Sequence, residues 1–101
     1  MPDFVEAARA DQIAPGTGTP IKVADKEIAV FNVDGDLYAI GDSCPHAGAS
    51  LGSGKLSGKI VTCRAHCLRY DVTTGQVTTG GFGVASYPVK VVDGKVLIAI
   101  D

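Results

Sequence analysis

The chain has 101 residues, which is enough for one compact domain with its own hydrophobic core. Apolar residues make up 46% and charged residues 20%, as in a typical soluble globular protein. The net charge of −2 and the scattered Lys and Arg residues exclude the continuous basic face that nucleic-acid binding requires, so we expect no nucleic-acid partner.

The first residues show no targeting pattern, since no cationic start is followed by an apolar stretch. The longest apolar run, Val96–Ile100, is far too short to span a bilayer. The three cysteines, an odd number, fit a disulfide framework badly and fit metal chemistry in a reducing compartment better. We therefore expect a cytoplasmic protein with no membrane partner.

Short runs rich in Val, Ile, Thr and Tyr alternate with turn signals along the chain. The runs predicted as strands are, in chain order, Phe4–Ala7, Ile21–Val23, Ile28–Val33, Leu37–Ile40, Lys59–Thr62, Arg69–Thr73, Gln76–Thr79, Val89–Val92 and Val96–Ile100. Only Val5–Gln12 could form a helical turn, because nothing caps a longer helix. The sequence therefore predicts an all-β protein that forms a single domain over residues 1–101.

Three dipeptides predict hairpin turns between these strands. Asp34-Gly35 and Asp93-Gly94 are strong signals for two-residue turns, because glycine tolerates the positive φ that such turns require. Thr74-Gly75 predicts a third hairpin, between Arg69–Thr73 and Gln76–Thr79.

The stretch Asp42–Gly58 breaks the strand pattern. It contains four glycines and one proline, shows little hydrophobic periodicity and includes Cys44-Pro45-His46 near its start. A long irregular stretch inside a compact domain is usually functional. A second irregular piece, Cys63–Cys67, follows the predicted strand Lys59–Thr62.

The chemistry-bearing residues fall in these two irregular pieces. The chain has only two histidines, and both lie within three residues of a cysteine. The pattern is C-x-H followed, after a spacer, by C-x-x-H, formed by Cys44, His46, Cys63 and His66. Two soft thiolates and two imidazoles brought together by two loops indicate a metal site.

Three interpretations of this pattern compete. The residues could coincide by chance, or they could bind a structural zinc ion, for which Cys₂His₂ is a common ligand set. The third is a [2Fe–2S] cluster in which two Cys bind one iron and two His bind the other. Zinc sites typically use one Cys-Cys pair and one His-His pair, whereas each loop here supplies one Cys and one His. The spacing therefore favours the cluster.

Two segments resemble the cluster-binding loops of Rieske proteins. They are Cys44-Pro45-His46-Ala47-Gly48-Ala49-Ser50-Leu51 and Ile60–Asp71, the latter followed by the Thr74-Gly75 turn. The flanking pieces Glu27–Asn32, Gly35–Ile40 and Tyr87–Val91 resemble the strands of the small Rieske ferredoxins, which carry electrons to bacterial oxygenases, typically aromatic-ring dioxygenases.

The resemblance implies a Rieske fold of small antiparallel sheets, with a cluster-binding subdomain of two loops, about 42–54 and 62–70, at one end. It implies one [2Fe–2S] cluster, with Cys44 and Cys63 on the inner iron and His46 and His66 on the outer iron. The implied function is one-electron transfer from a flavin-containing reductase to a terminal oxygenase, with both partners docking near His46 and His66. The chain itself would not be an enzyme.

Two other functions stay open at this point. The first is the small Rieske-like subunit of an NAD(P)H-dependent nitrite reductase, although those subunits often lack some of the ligands. The second is a zinc-stabilised interaction module with no redox role.

Residues near the motif receive roles from the same resemblance. Gly48, Gly52 and Gly54 are expected to allow tight turns that aim N–H groups at the sulfurs. Leu68 and Tyr70 are expected to pack beside the cluster. Phe82 could shield it from water, and Pro45 would stiffen the first loop. A separate acidic set, Asp34, Asp36 and Asp42, is interpreted as a solvated face.

Cys67 and Leu68 depart from the high-potential respiratory Rieske proteins. Those proteins tie the two loops with a disulfide formed by one extra cysteine in each. The Cys44–Leu51 loop has no cysteine besides the predicted ligand Cys44, so we expect Cys67 to be a free thiol packed as a small hydrophobe. They also place a sulfide-donating serine where Leu68 stands here. Both differences point to the low end of the Rieske potential range.

Overall fold

The computed structural model describes residues 3–23, 26–42, 50–63, 69–78 and 83–100. Within these ranges the chain forms ten strands and one short 3-10 helix at Ala10–Gln12. The strands are β1 (Asp3–Arg9), β2 (Gly18–Val23), β3 (Lys26–Val33), β4 (Asp36–Gly41), β5 (Lys55–Ser57), β6 (Ile60–Thr62), β7 (Arg69–Asp71), β8 (Ser86–Tyr87), β9 (Val89–Val92) and β10 (Lys95–Ile100).

The strands pair antiparallel in three small sheets. The first has the order β1-β10-β9, the second β2-β3-β4-β8 and the third β5-β6-β7. The prediction of an all-β fold built from small antiparallel sheets is confirmed.

Strand β3 is buried on both of its faces. Ile28 and Val30 pack into a core with Val96 and Ile98 of β10, whereas Ala29 and Phe31 pack into a second core. That second core also contains Leu51, Val61, Cys63, Tyr70 and Val72. Side chains alternate between the two faces of a strand, so the continuous apolar run of β3 places the second sheet between the other two.

Both Asp-Gly hairpins predicted from the sequence are present. Asp34 and Gly35 have φ values of 53° and 97°, and Asp93 and Gly94 have values of 52° and 76°. Two consecutive positive φ values are the signature of a type I′ turn, whose twist matches that of the flanking strands. Val33 accordingly pairs with Asp36, and Val92 with Lys95.

Two strands were missed in the sequence. Strand β5 lies inside the stretch 42–58 that we expected to be irregular, and it pairs with β6 around the turn at Gly58. Strand β8 has only two residues and pairs with β4 through Ala39 and Ile40. Both are too short to show a period of their own. Strand β8 forms on the longer strand β4, and β5 forms through its pairing with β6, which is equally short.

The third predicted hairpin is only partly correct. Its first strand, β7, ends at Asp71, and its predicted second strand is reduced to a single bridge between Tyr70 and Val77. The turn at Gly75 (φ 81°) is present, but the carbonyl of Gly75 accepts a hydrogen bond from the N–H of Val84 (2.7 Å). This bond brings Val84 back to the turn that follows β7.

The predicted helical turn within Val5–Gln12 corresponds to the short helix Ala10–Gln12, while its first residues belong to β1. In the part of the chain that the structure describes, no helix has the length and apolar character needed to cross a membrane.

Asp71 holds the turn that follows β7. Its Oδ1 accepts hydrogen bonds from the N–H (2.9 Å) and the hydroxyl (2.6 Å) of Thr73, and its Oδ2 lies 3.6 Å from Nζ of Lys59. Partial burial raises the pKa of Asp71, but the bonds from Thr73 and the Lys59 ammonium together outweigh it, so the pKa is lower than 3.8. Because the pKa is lowered in the folded state, this stabilisation is complete at neutral pH and is lost only as the pH falls through the lowered pKa.

Asp71→Asn should therefore destabilise the protein at pH 7 by about 1 kcal/mol, because an amide accepts more weakly and carries no charge. Denaturant unfolding of the cluster-loaded protein measures this change. Asp36→Asn, at an exposed position beside the first hairpin turn, is the matched control and should stay within about 0.5 kcal/mol of wild type. Equal effects of the two substitutions would show that Asp71 does not hold the turn.

Candidate metal centre

One end of the third sheet carries the ends of both predicted metal-binding loops. Thr62, the last residue of β6, pairs with Lys55 at the start of β5 and with Arg69 at the start of β7. We call the row formed by Lys55, Thr62 and Arg69 the loop end of the sheet. Lys55 follows the first loop, whereas Thr62 and Arg69 flank the second. The register of the three short strands therefore brings the ends of both loops together at the loop end.

A further segment also starts at the loop end. The N–H of Thr78 donates to the carbonyl of Arg69 (2.9 Å), which places Thr78 beside this row just before residues 79–82. The chain then comes back to the turn, where Gly83 lies so close to the carbonyl of Gly75 that a Cβ at Gly83 would overlap it.

Cys63 is the one predicted ligand among the described residues. It directly follows Thr62, is fully buried and forms no disulfide with any residue that the structure describes. Its neighbours in the core include Leu51 from the first loop and Tyr70 from β7. A buried thiolate requires a compensating partner, and a metal ion provides one. The position therefore suits a ligand on the inner side of a cluster, enclosed by apolar side chains.

Asp42 fastens the two ends of the first loop to each other. Its main-chain carbonyl accepts from the N–H of Leu51 (2.7 Å), and its Oδ1 accepts from the N–H of Gly52 (2.7 Å) and the hydroxyl of Ser50 (2.8 Å). Its own N–H donates to the carbonyl of Glu27 in β3 (3.0 Å). The loop that carries Cys44 and His46 is thus closed on itself and attached to the second sheet.

After the hydrogen bonds to Asp42, the chain at Gly52 and Gly54 passes very close to backbone atoms of neighbouring strands. A Cβ on Gly52 would lie 2.6 Å from the main-chain nitrogen of Pro20, and a Cβ on Gly54 would overlap the carbonyl oxygen of Thr62. Both obstacles are backbone atoms, which cannot move aside as a flexible side chain can. Glycine at these positions lets the first loop pack against β2 and against the loop end.

The other predicted ligands, Cys44, His46 and His66, lie outside the described residues. So do Pro45, Gly48, Cys67, Leu68 and Phe82, whose expected roles remain predictions. In the ranges that the structure describes, no three His, Cys, Asp or Glu side chains are grouped as metal ligands would be. Cys63 is the only predicted ligand that these ranges contain, so this finding leaves the proposed ligand set untested.

One expectation about an individual residue is wrong. Asp42 was expected on a solvated face, but its side chain is buried because Ser50 and Gly52 close over it; Asp34 and Asp36 are exposed as expected. The N–H groups of Gly52 and Gly54 themselves donate to Asp42 and to the carbonyl of Leu51, and the expectation that turns at these glycines aim N–H groups at the sulfurs stays a prediction. The expected packing of Tyr70 is consistent with its burial beside Cys63.

The chain matches known proteins along nearly its whole length. The family model of the Rieske [2Fe-2S] domain matches residues 3–88. The ferredoxin component of the naphthalene 1,2-dioxygenase/salicylate 5-hydroxylase systems of Ralstonia sp is 34% identical over 98% of this chain and 97% of its own length.

Two solved structures show similar folds. A chain in the complex of reduced oxygenase and oxidized ferredoxin in carbazole 1,9a-dioxygenase matches with a TM-score of 0.86 and 29% identity, over 95% of this chain and 92% of its own. A putative NADH-dependent nitrite reductase small subunit from Mycobacterium tuberculosis matches with a TM-score of 0.90 and 23% identity, over 100% of this chain and 97% of its own. At 23% identity, the similarity to the nitrite reductase subunit shows only that the two chains share a fold.

Gly52→Ala should destabilise the protein by about 1–3 kcal/mol, because the new Cβ must displace the backbone at Thr19 and Pro20. Gly41→Ala is the matched control at the other side of the first loop, since its Cβ would meet Val84 at an ordinary contact distance of 3.5 Å. Denaturant unfolding of both variants tests this difference. A Gly52→Ala protein as stable as Gly41→Ala would contradict the described packing of the first loop.

Proposed function

Because the chain belongs to the Rieske [2Fe–2S] family, we propose that it is a ferredoxin that carries single electrons from a flavin-containing reductase to a terminal oxygenase. The observation that carries this proposal is the identity of 34% with a dioxygenase-system ferredoxin component along nearly the full length of both chains. The ferredoxin role of that relative, and its membership of a dioxygenase system, are what we transfer to this protein.

Family membership implies one [2Fe–2S] cluster, which supplies one-electron redox chemistry when it is bound. We propose that Cys44, His46, Cys63 and His66 hold it. The buried thiol of Cys63 and the convergence of the two loops at one edge of the third sheet support this ligand set. Zinc binding is disfavoured, because the family that matches is an iron–sulfur family.

We further propose that both redox partners dock at the loop end, near His46 and His66. Lys55, Arg69 and Thr78 are exposed there, so a second protein can approach this edge of the sheet without any rearrangement of the described strands. The solved complex of an oxygenase with a ferredoxin in carbazole 1,9a-dioxygenase provides a precedent for the oxygenase as partner. The reductase and the cytoplasmic location remain predictions from the sequence.

The ligand set is tested by replacing each cysteine with serine. Cys44→Ser and Cys63→Ser should abolish the coloured cluster, because a hydroxyl is a much poorer iron ligand than a thiolate. Cys67→Ser is the matched control and should keep full iron and acid-labile sulfide content. A colourless Cys67→Ser protein with little bound iron would show that the proposed ligand set is wrong.

The function is tested by counting electrons. The cluster-loaded protein should take up one electron per chain from dithionite and return it to oxidised cytochrome c. It should then donate to the oxygenase component of the Ralstonia naphthalene system, and it should accept an electron from that system's reductase in the presence of NADH. Failure to take up and return a single electron would contradict a carrier role. Donation to a nitrite reductase large subunit, but not to any oxygenase, would favour the nitrite reductase alternative.

A further inference from the structure

The carboxylate of Asp42 is the buried acidic group nearest in sequence to the proposed ligands. Its residue is 6% exposed and lies two positions before Cys44. The proposed electron carrier therefore has a carboxylate enclosed in protein only two positions along the chain from a proposed ligand.

The contacts of Asp42 connect three parts of the chain. Oδ1 accepts from Ser50 and Gly52 in the last part of the first loop, while the main-chain N–H of Asp42 donates to Glu27 in β3, before the loop. Hydrogen bonds to a charged acceptor are about twice as strong as neutral ones. Closing a loop also removes conformational freedom that ligand binding would otherwise have to remove.

We propose that Asp42 is a positioning residue for the cluster: its carboxylate holds the first loop closed, so that Cys44 and His46 are kept in place to retain the iron. The proposal rests on the ligand set given under the proposed function. Asp42 does not bind the metal; it acts through the loop that it closes. Residues that contact the metal ligands, without contacting the metal, commonly orient those ligands in this way. Replacing such residues weakens metal binding.

The negative charge of Asp42 has a second effect. An electron added to a nearby cluster is repelled by a buried carboxylate, so the charge lowers the reduction potential. Asp42→Asn keeps an oxygen that can accept from Ser50 and Gly52 but removes the charge, whereas Asp42→Ala removes both. The two substitutions therefore separate loop closure from charge.

Asn32 is the matched control for general destabilisation. It is also a buried polar residue in the second sheet, with Nδ2 donating to the carbonyl of Ile13 (2.8 Å) and Oδ1 accepting from the N–H of Gly35 (2.7 Å). It lies beside the Asp34-Gly35 turn, at the opposite end of β3 from Glu27. Asn32→Ala should lower the melting temperature without touching the first loop.

The experiment measures the rate of cluster loss from the loaded protein in an excess of an iron chelator, followed by the visible absorbance. Asp42→Ala should lose its cluster at least fivefold faster than wild type, and Asn32→Ala should stay within twofold of it. Asp42→Asn should lose its cluster within threefold of the wild-type rate, and its midpoint potential should be raised. Ser50→Ala, which removes one donor to Oδ1, should give an intermediate rate and serves if Asp42→Ala does not fold.

The proposal would be overturned if Asp42→Ala lost its cluster at the same rate as Asn32→Ala, because the effect would then be one of general stability. If Asp42→Ala does not fold, the same comparison is made between Ser50→Ala and Asn32→Ala. A wild-type rate in both Asp42→Ala and Ser50→Ala would overturn it as well. An unchanged potential in Asp42→Asn would show that the carboxylate is too far from the cluster to act on it. A wild-type protein that takes up no iron and sulfide would overturn the proposed function and, with it, this proposal.

Discussion

The register of the third sheet at Thr62 is the constraint on which the metal centre depends. Lys55 and Arg69 lie on either side of Thr62, and Cys63 follows it directly. A shift of one residue in either pairing would turn every side chain of the shifted strand to the other face. Val61 or Tyr70 would then leave the core, and the described ends of the two loops would no longer lie side by side next to the buried Cys63.

The second sheet gives this small unit its rigidity. Strand β3 contributes to both cores, so the β5-β6-β7 sheet is packed against a strand that is itself held by β10 on the other face. The attachment of Asp42 to Glu27 extends this support to the first loop. A protein that exchanges electrons benefits from such support, because a rigid surrounding limits the rearrangement that accompanies each change of charge.

The sequence predicted those features that depend on local chemistry. The Asp34-Gly35 and Asp93-Gly94 turns follow from the φ preferences of the residues at the turn itself, and the family follows from the residue types in two short segments. Strand β5 was not predictable, because Lys-Leu-Ser between glycines becomes a strand only through β6. The burial of Asp42 likewise depends on Ser50 and Gly52, eight and ten residues further along the chain. Such contacts are set by the tertiary fold and leave no periodic signal in the sequence.

The central claim is that two histidines and two cysteines hold a single cluster at the loop end. The most direct test is pulsed hyperfine spectroscopy on the dithionite-reduced protein with ¹⁵N-labelled histidine, since the chain has only two histidines. We expect strong hyperfine couplings between the reduced cluster and two histidine nitrogens. In the protein with ¹⁵N-labelled histidine, the corresponding ¹⁴N signals should disappear completely. A reduced protein whose cluster shows no coupling to histidine nitrogen, or a purified protein that contains zinc in place of iron and sulfide, would contradict the account.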